Sequence, residues 1–212
     1  MADQSHTFLF ADLVGFTALA ELEGDDRALE VALALQRRVR DLLAPHNAEQ
    51  VKGTGDGMML RCSDPGAAIR LGLRLVEELS AEAGFPPVRV GIHTGPALAS
   101  DGDWYGRTVN VAARLCAVAP GGEVMVSDST REAAGQMAGV EWGDRELHWL
   151  RNVSEPVGTY LVAPSAETSV TRKVGIARVV ADPSEAQPDA GRRWRIPGIC
   201  GRALGGKEVP AC

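Results

Sequence analysis

The sequence predicts an α+β fold, a mainly antiparallel sheet with helices packed on one of its faces. Short apolar runs of strand length alternate with amphipathic stretches of helical period, in the order βαββαβαβ. Glycine, proline and aspartate gather between the runs, where turns and helix caps are needed.

The first element is His6–Asp12 (HTFLFAD), a short apolar and aromatic run whose length favours a buried strand, with Asp12 at its end. From Asp25 to Ala44, Leu29, Ala32, Leu35, Val39 and Leu42 recur at helical spacing; Asp25 or Asp26 suits the cap and Pro45 follows the end. Glu49–Lys52 and Met58–Arg61 read as two strands joined by the glycine-rich turn GTGDG, which presents Asp56 at a hairpin tip. Ser63-Asp64-Pro65 opens a second helix, with Ala68, Leu71, Leu75 and Leu79 as its buried stripe, closed by Gly84 and Pro86-Pro87. Val88–Thr94 alternates like a strand, and Gly106–Val118 reads as a loop leading into a helix. Glu123–Val126 is a further strand, Ser129–Gly135 a short helix, and closing strands are expected near Glu146–Leu150 and Thr159–Val162.

With 212 residues there is room for one domain with a full core and an appendage. Residues 166–212 carry eight basic and five acidic side chains, where residues 1–165 carry 14 and 23. The later stretch also has few apolar periods and repeated Gly and Pro, so it is expected to be a flexible or separately folded appendage to a 1–165 domain. The whole chain has net charge −6, the wrong sign for a partner such as nucleic acid or an anionic membrane surface. MADQSHTF lacks the charged and apolar regions of a signal peptide, and no apolar run approaches the roughly 20 residues that span a bilayer, so a cytoplasmic protein is expected. The four cysteines lie far apart without a CxxC pair, which favours free thiols, and the four histidines form no metal-binding pattern.

Two carboxylates stand out, Asp12 at a strand end and Asp56 at a hairpin tip. Magnesium takes oxygen ligands, commonly one or two carboxylates with water and phosphate completing the set, so two aspartates meeting at adjacent strand ends can hold a pair of ions. Taken alone, an aspartate at a turn more often serves turn chemistry than a metal.

Read in order, FADLVGFT (Phe10–Thr17), VKGTGDG (Val51–Gly57), GIHTG (Gly91–Gly95) and DWYGRTVNVAARL (Asp103–Leu115) resemble the signature segments of class III adenylyl and guanylyl cyclases. The resemblance covers roughly residues 6–163 and implies a ferredoxin-like, palm-type sandwich. It implies that Asp12 and Asp56 bind two divalent metal ions, Mg2+ or Mn2+, and that the backbone amides of Val14, Gly15, Phe16 and Thr17 cradle phosphate. Lys52 and Asp103 match the purine-reading positions. Lysine donates to adenine N1 and a carboxylate accepts from the 6-amino group, so the pair favours ATP over GTP. Asn110 and Arg114, four apart and thus on one helix face, match the pair that orients the ribose and stabilises phosphoryl charge. Arg151 corresponds to a basic residue contacting the terminal phosphates. In the family the aspartates of one subunit face the purine-reading and transition-state residues of the other, which implies a head-to-tail homodimer. Cys62 departs from the family, which often has an aromatic residue there.

The implied activity is conversion of ATP to 3′,5′-cyclic AMP. A catalytically silent homologue acting as a nucleotide-binding or interaction module would lack at least one of Asp12, Lys52, Asp56, Asp103, Asn110 and Arg114, and all six are present. A guanylyl cyclase would differ at positions 52 and 103. A diguanylate cyclase would need a GG[DE]EF-type turn where GTGDG stands, and a nucleic-acid-binding domain fits neither the acidic charge nor the strand composition.

Overall fold

The computed structural model of the chain describes residues 5–53 and 55–165; the appendage expected from residue 166 onward lies outside the described residues. The elements begin with β1 (Ser5–Leu13), α1 (Phe16–Glu23), α2 (Asp25–Leu43), β2 (Ala48–Gly53), β3 (Gly57–Cys62) and α3 (Pro65–Ser80). They continue with β4 (Val88–Pro96), β5 (Leu98–Ser100), β6 (Asp103–Tyr105), α4 (Arg107–Val118), β7 (Val124–Ser127) and α5 (Asp128–Ala134). The last are β8 (Val140–Trp142), β9 (Glu146–His148) and β10 (Val157–Pro164). Among the described residues no helix is long and apolar enough to cross a membrane.

Eight strands form one sheet in the order β2-β3-β1-β4-β7-β10-β8, with β9 also on β10. The sheet is antiparallel except where β4 meets β7. Alternation along β1 sends Leu9, Ala11 and Leu13 to one face, where they pack with Val31 and Leu35 of α2 and Ile69 and Leu75 of α3. Phe8 goes to the other face, against Met59 of β3 and Val109 and Ala112 of α4. The expectation of helices on one face is therefore corrected: α4 covers the opposite side. The continuous apolar run of β1 was the clue, since a strand buried on both faces does not alternate.

Local signals set most element ends. Asp64 caps α3 by accepting from the Gly66 and Ala67 amides at 3.3 and 2.8 Å, with Pro65 in the first turn. Asp25 and Asp26 sit in the first turn of α2, where the helix dipole favours negative charge. Sequence reading did not find α1, which has no capping side chain and no fully buried residue. It also missed β8 and the β5–β6 hairpin, each strand only three residues long. The hairpin had a legible signal: its turn is Asp101-Gly102, both residues at positive φ (52° and 78°), the sequence and geometry of a two-residue turn between paired strands.

Beneath α5 lies a polar network. His93 Nδ1 is 2.8 Å from Ser127 Oγ and 3.2 Å from Ser129 Oγ, and Thr7, Thr94 and Thr130 continue the chain of hydroxyls. Burial first, then the nearby Arg107, pushes the His93 imidazole down to about 4. The unfolded chain therefore binds a proton that the native state refuses between pH 6.5 and 4, so stability falls with falling pH across that window and levels off below it. A shift of this size corresponds to roughly 3 kcal/mol. In His93→Gln, the acid-side slope of Tm against pH should flatten, as read by thermal unfolding between pH 7 and 4.

Candidate active site

Asp12 closes β1 facing Gly57 of β3 on one side and Arg89 of β4 on the other. With Phe10, Ala11 and Gly57 it lines a cavity roofed by Ala113, Cys116 and Ala117 of α4. The Arg89 guanidinium grips Asp12 Oδ2 with Nη2 at 2.5 Å and Nε at 3.0 Å, while its Nη1 donates to the Ala117 carbonyl at 2.8 Å. Arg89 thus ties the carboxylate to α4.

The β2–β3 turn brings Asp56 to the same strand end. The Leu13 amide donates to the Asp56 carbonyl at 3.3 Å, which anchors the hairpin tip to the end of β1. Burial is the main cause of a raised Asp56 pKa, and the charge of Asp12 pushes the same way while Arg89 opposes it. The charges of Asp12 and Asp56 repel each other at this strand end, a repulsion that a divalent cation would relieve. The two carboxylates offer oxygen donors, the kind Mg2+ or Mn2+ takes with water and phosphate as further ligands; among the described residues no group of three or more His, Cys, Asp or Glu converges. The Cys116 thiol in the cavity wall is pushed up to about 12 by burial and stays protonated.

Lys52 and Asp103 lie 51 residues apart in sequence and meet directly, Nζ to Oδ2 at 2.5 Å. Lys52 follows a register shift in β2, and Asp103 opens β6. The Lys52 ammonium holds the Asp103 carboxyl below its usual range, helped by the Trp104 amide, which donates to Oδ1 at 2.8 Å.

Asn110 and Arg114 are exposed on α4, one turn apart. Asn110 shares a cleft with Gly106, Arg107 and residues 152–154, and exposed Arg151 forms a turn with Asn152. Among the described residues no hydrogen bond or ion pair joins Asn110, Arg114 or Arg151 to Asp12 or Asp56.

The expected phosphate cradle needs one correction. The Val14 amide is already spent on the Pro87 carbonyl at 2.9 Å, so it has no N–H to offer. Gly15 takes a left-handed conformation (φ 76°) and starts α1 without a capping side chain.

Sequence reading missed Arg89. Its signal was a full charge between Val88 and Val90 in the strand VRVGIHT, a position that calls for a partner. It also missed the packing of Trp104, the residue after Asp103, against His6 and Phe8.

Residues 2–163 match the family model for the adenylate and guanylate cyclase catalytic domain. The chain is 41% identical over 151 residues to a pH-sensitive adenylate cyclase of Mycobacterium tuberculosis, a match spanning 68% of this chain and 38% of that protein. It is 38% identical over 126 residues to an adenylate cyclase of Streptomyces griseus, spanning 59% of this chain and 32% of that one. The chain thus matches well under half the length of these two relatives. Among solved structures, an adenylate/guanylate cyclase/hydrolase from Silicibacter pomeroyi superposes with a TM-score of 0.68 at 27% identity, covering 76% of this chain and 97% of that one. A Trypanosoma brucei adenylate cyclase described in its monomeric state gives 0.62 at 26% identity, covering 75% and 89%. With the family model matched across 162 residues, the chain belongs to the adenylate and guanylate cyclase catalytic domain family.

Proposed function

We propose that this domain converts ATP to 3′,5′-cyclic AMP and pyrophosphate at composite sites of a head-to-tail homodimer. The observation that carries the choice of substrate is the Lys52–Asp103 contact. It sets one donor beside one acceptor, the pattern complementary to adenine, whose N1 accepts and whose 6-amino group donates; guanine presents the reverse at both positions.

In this reading the ribose 3′-oxygen attacks the α-phosphorus, a new O–P bond closes the ring, the α–β bridge bond breaks and pyrophosphate leaves. Asp12 and Asp56 would hold two divalent ions, which when bound neutralise phosphate charge and acidify the attacking hydroxyl. The amides of Gly15–Thr17 bind phosphate at the N-terminus of α1. Asn110 orients the ribose, Arg114 stabilises charge on the reorganising phosphoryl group and Arg151 binds the terminal phosphates. Exposure of these three side chains, apart from the carboxylates of their own chain, supports their serving the aspartates of a second copy.

The test is product formation by the purified chain with ATP or GTP and Mg2+ or Mn2+. Cyclic AMP is expected to dominate, and Lys52→Glu should lower kcat/KM for ATP by roughly 100-fold while narrowing the gap to GTP. A wild-type preference for GTP would sink the reading, as would a folded dimer inert toward both nucleotides.

A further inference from the structure

We propose that Trp104 is a positioning residue for purine selectivity, setting the spacing between Lys52 and Asp103 without touching the base itself. This rests on the reading of those two residues as the purine-reading pair.

Asp103 sits on β6, a strand of three residues that pairs only with β5 and lies outside the main sheet. So short a hairpin is marginal by itself and needs tertiary packing to hold its place. That packing comes from the indole of Trp104, the next residue along. Its ring lies 4.3 Å from the His6 ring and 5.6 Å, edge-on, from Phe8, both on β1. The Arg61 guanidinium lies over the ring at 5.1 Å.

Arg61 is itself fixed. Its Nε donates to Glu49 Oε1 at 2.5 Å across the β2–β3 pair, and its Nη1 is 3.3 Å from His6 Nδ1. Burial keeps the His6 imidazole inclined to the neutral form, which can accept from Arg61. Glu49 stands on β2, the strand that carries Lys52 three residues later. One chain of contacts therefore runs from the strand of the lysine, through Glu49, Arg61 and Trp104, to the strand of the aspartate. The Trp104 amide completes it by orienting Asp103 Oδ1 at 2.8 Å. Losing the indole frees β6 to drift, and a hydrogen-bonding pair displaced by an ångström loses discrimination more than turnover.

The experiment compares kcat and KM for ATP and GTP in the full chain with those of Trp104→Ala, Trp104→Phe, Asp103→Ala and the Trp104→Ala/Asp103→Ala double variant, with Tm measured for each. Trp104→Ala should lower the ATP:GTP ratio of kcat/KM by about tenfold, mainly through KM for ATP, and Trp104→Phe should restore most of it. Because Trp104 acts through Asp103, the double variant should be no less selective than Asp103→Ala. Should Trp104→Ala not fold, Arg61→Met, which removes the cation above the ring and leaves the core, should show a smaller fall in the same direction. An unchanged ratio in the folded Trp104 variants overturns the proposal, as does an equal loss for both nucleotides or a further loss in the double variant. If Asp103→Ala itself leaves the ratio unchanged, the purine-reading assignment fails and the positioning role fails with it.

Discussion

Asp12→Asn is expected to lower cyclic AMP formation by about 10³-fold or more while leaving the fold intact. The substitution preserves the shape of the side chain and removes its charge. Asp12 is the carboxylate on which the cavity turns: it faces Gly57 and Arg89 across two strand pairs and adds to the raised pKa of Asp56. Without it, Asp56 is the one carboxylate left of the pair, against the Arg89 cation, and attraction for a divalent ion drops steeply. The fold should tolerate the change at a cost of about 1–3 kcal/mol, since Asn keeps an oxygen that can accept from Arg89 and Arg89 keeps its bond to Ala117. Chromatographic assay of product, Mn2+ binding by calorimetry and Tm separate the two effects. Activity within tenfold of wild type would move the metal site away from Asp12.

Gly91→Ala carries the largest expected effect on stability. A β-carbon built on Gly91 would lie 2.1 Å from the backbone nitrogen of Cys116 and 2.6 Å from its α-carbon. The obstacle is main chain inside α4, so no rotamer change relieves it. The helix must retreat from β4, opening the contacts of Val111, Leu115 and Cys116 with the sheet. Overpacking of a core by flexible side chains typically costs 1–3 kcal/mol, and a backbone clash should exceed about 3 kcal/mol. Tm should fall by well over about 5 °C, or soluble protein should be lost. A variant with wild-type Tm would mean that α4 packs less closely on β4 than the structure shows. Because α4 also carries Asn110 and Arg114, activity should fall alongside stability.

Much of this molecule was legible where signals are local. The Asp64-Pro65 start of α3, the spacing of Val39 and Leu35 on α2 and the apolar run of β1 are short-range consequences of capping, period and burial, and the structure bears them out within a few residues. The class III resemblance rested on residues close together within four segments, and the family match agrees with it. The three-residue strands β5, β6 and β8 and a helix without capping side chains escaped because they carry too little periodicity to register, whereas β9, equally short, was expected near Glu146–Leu150.

By itself, the sequence determined which groups are available for chemistry: two acidic side chains at chain reversals, a lysine and an aspartate in glycine-flanked motifs, and an Asn–Arg pair one helical turn apart. Only the tertiary structure decided which of them meet. Arg89 reaches Asp12 across 77 residues, and Lys52 reaches Asp103 across 51. The Val14 amide is taken by Pro87, and α4 settles on the face opposite α2 and α3. Such contacts depend on strand register and on which face of the sheet each residue takes. Both come from non-local pairing, and a shift of one residue in register would send every side chain of a strand to the other side.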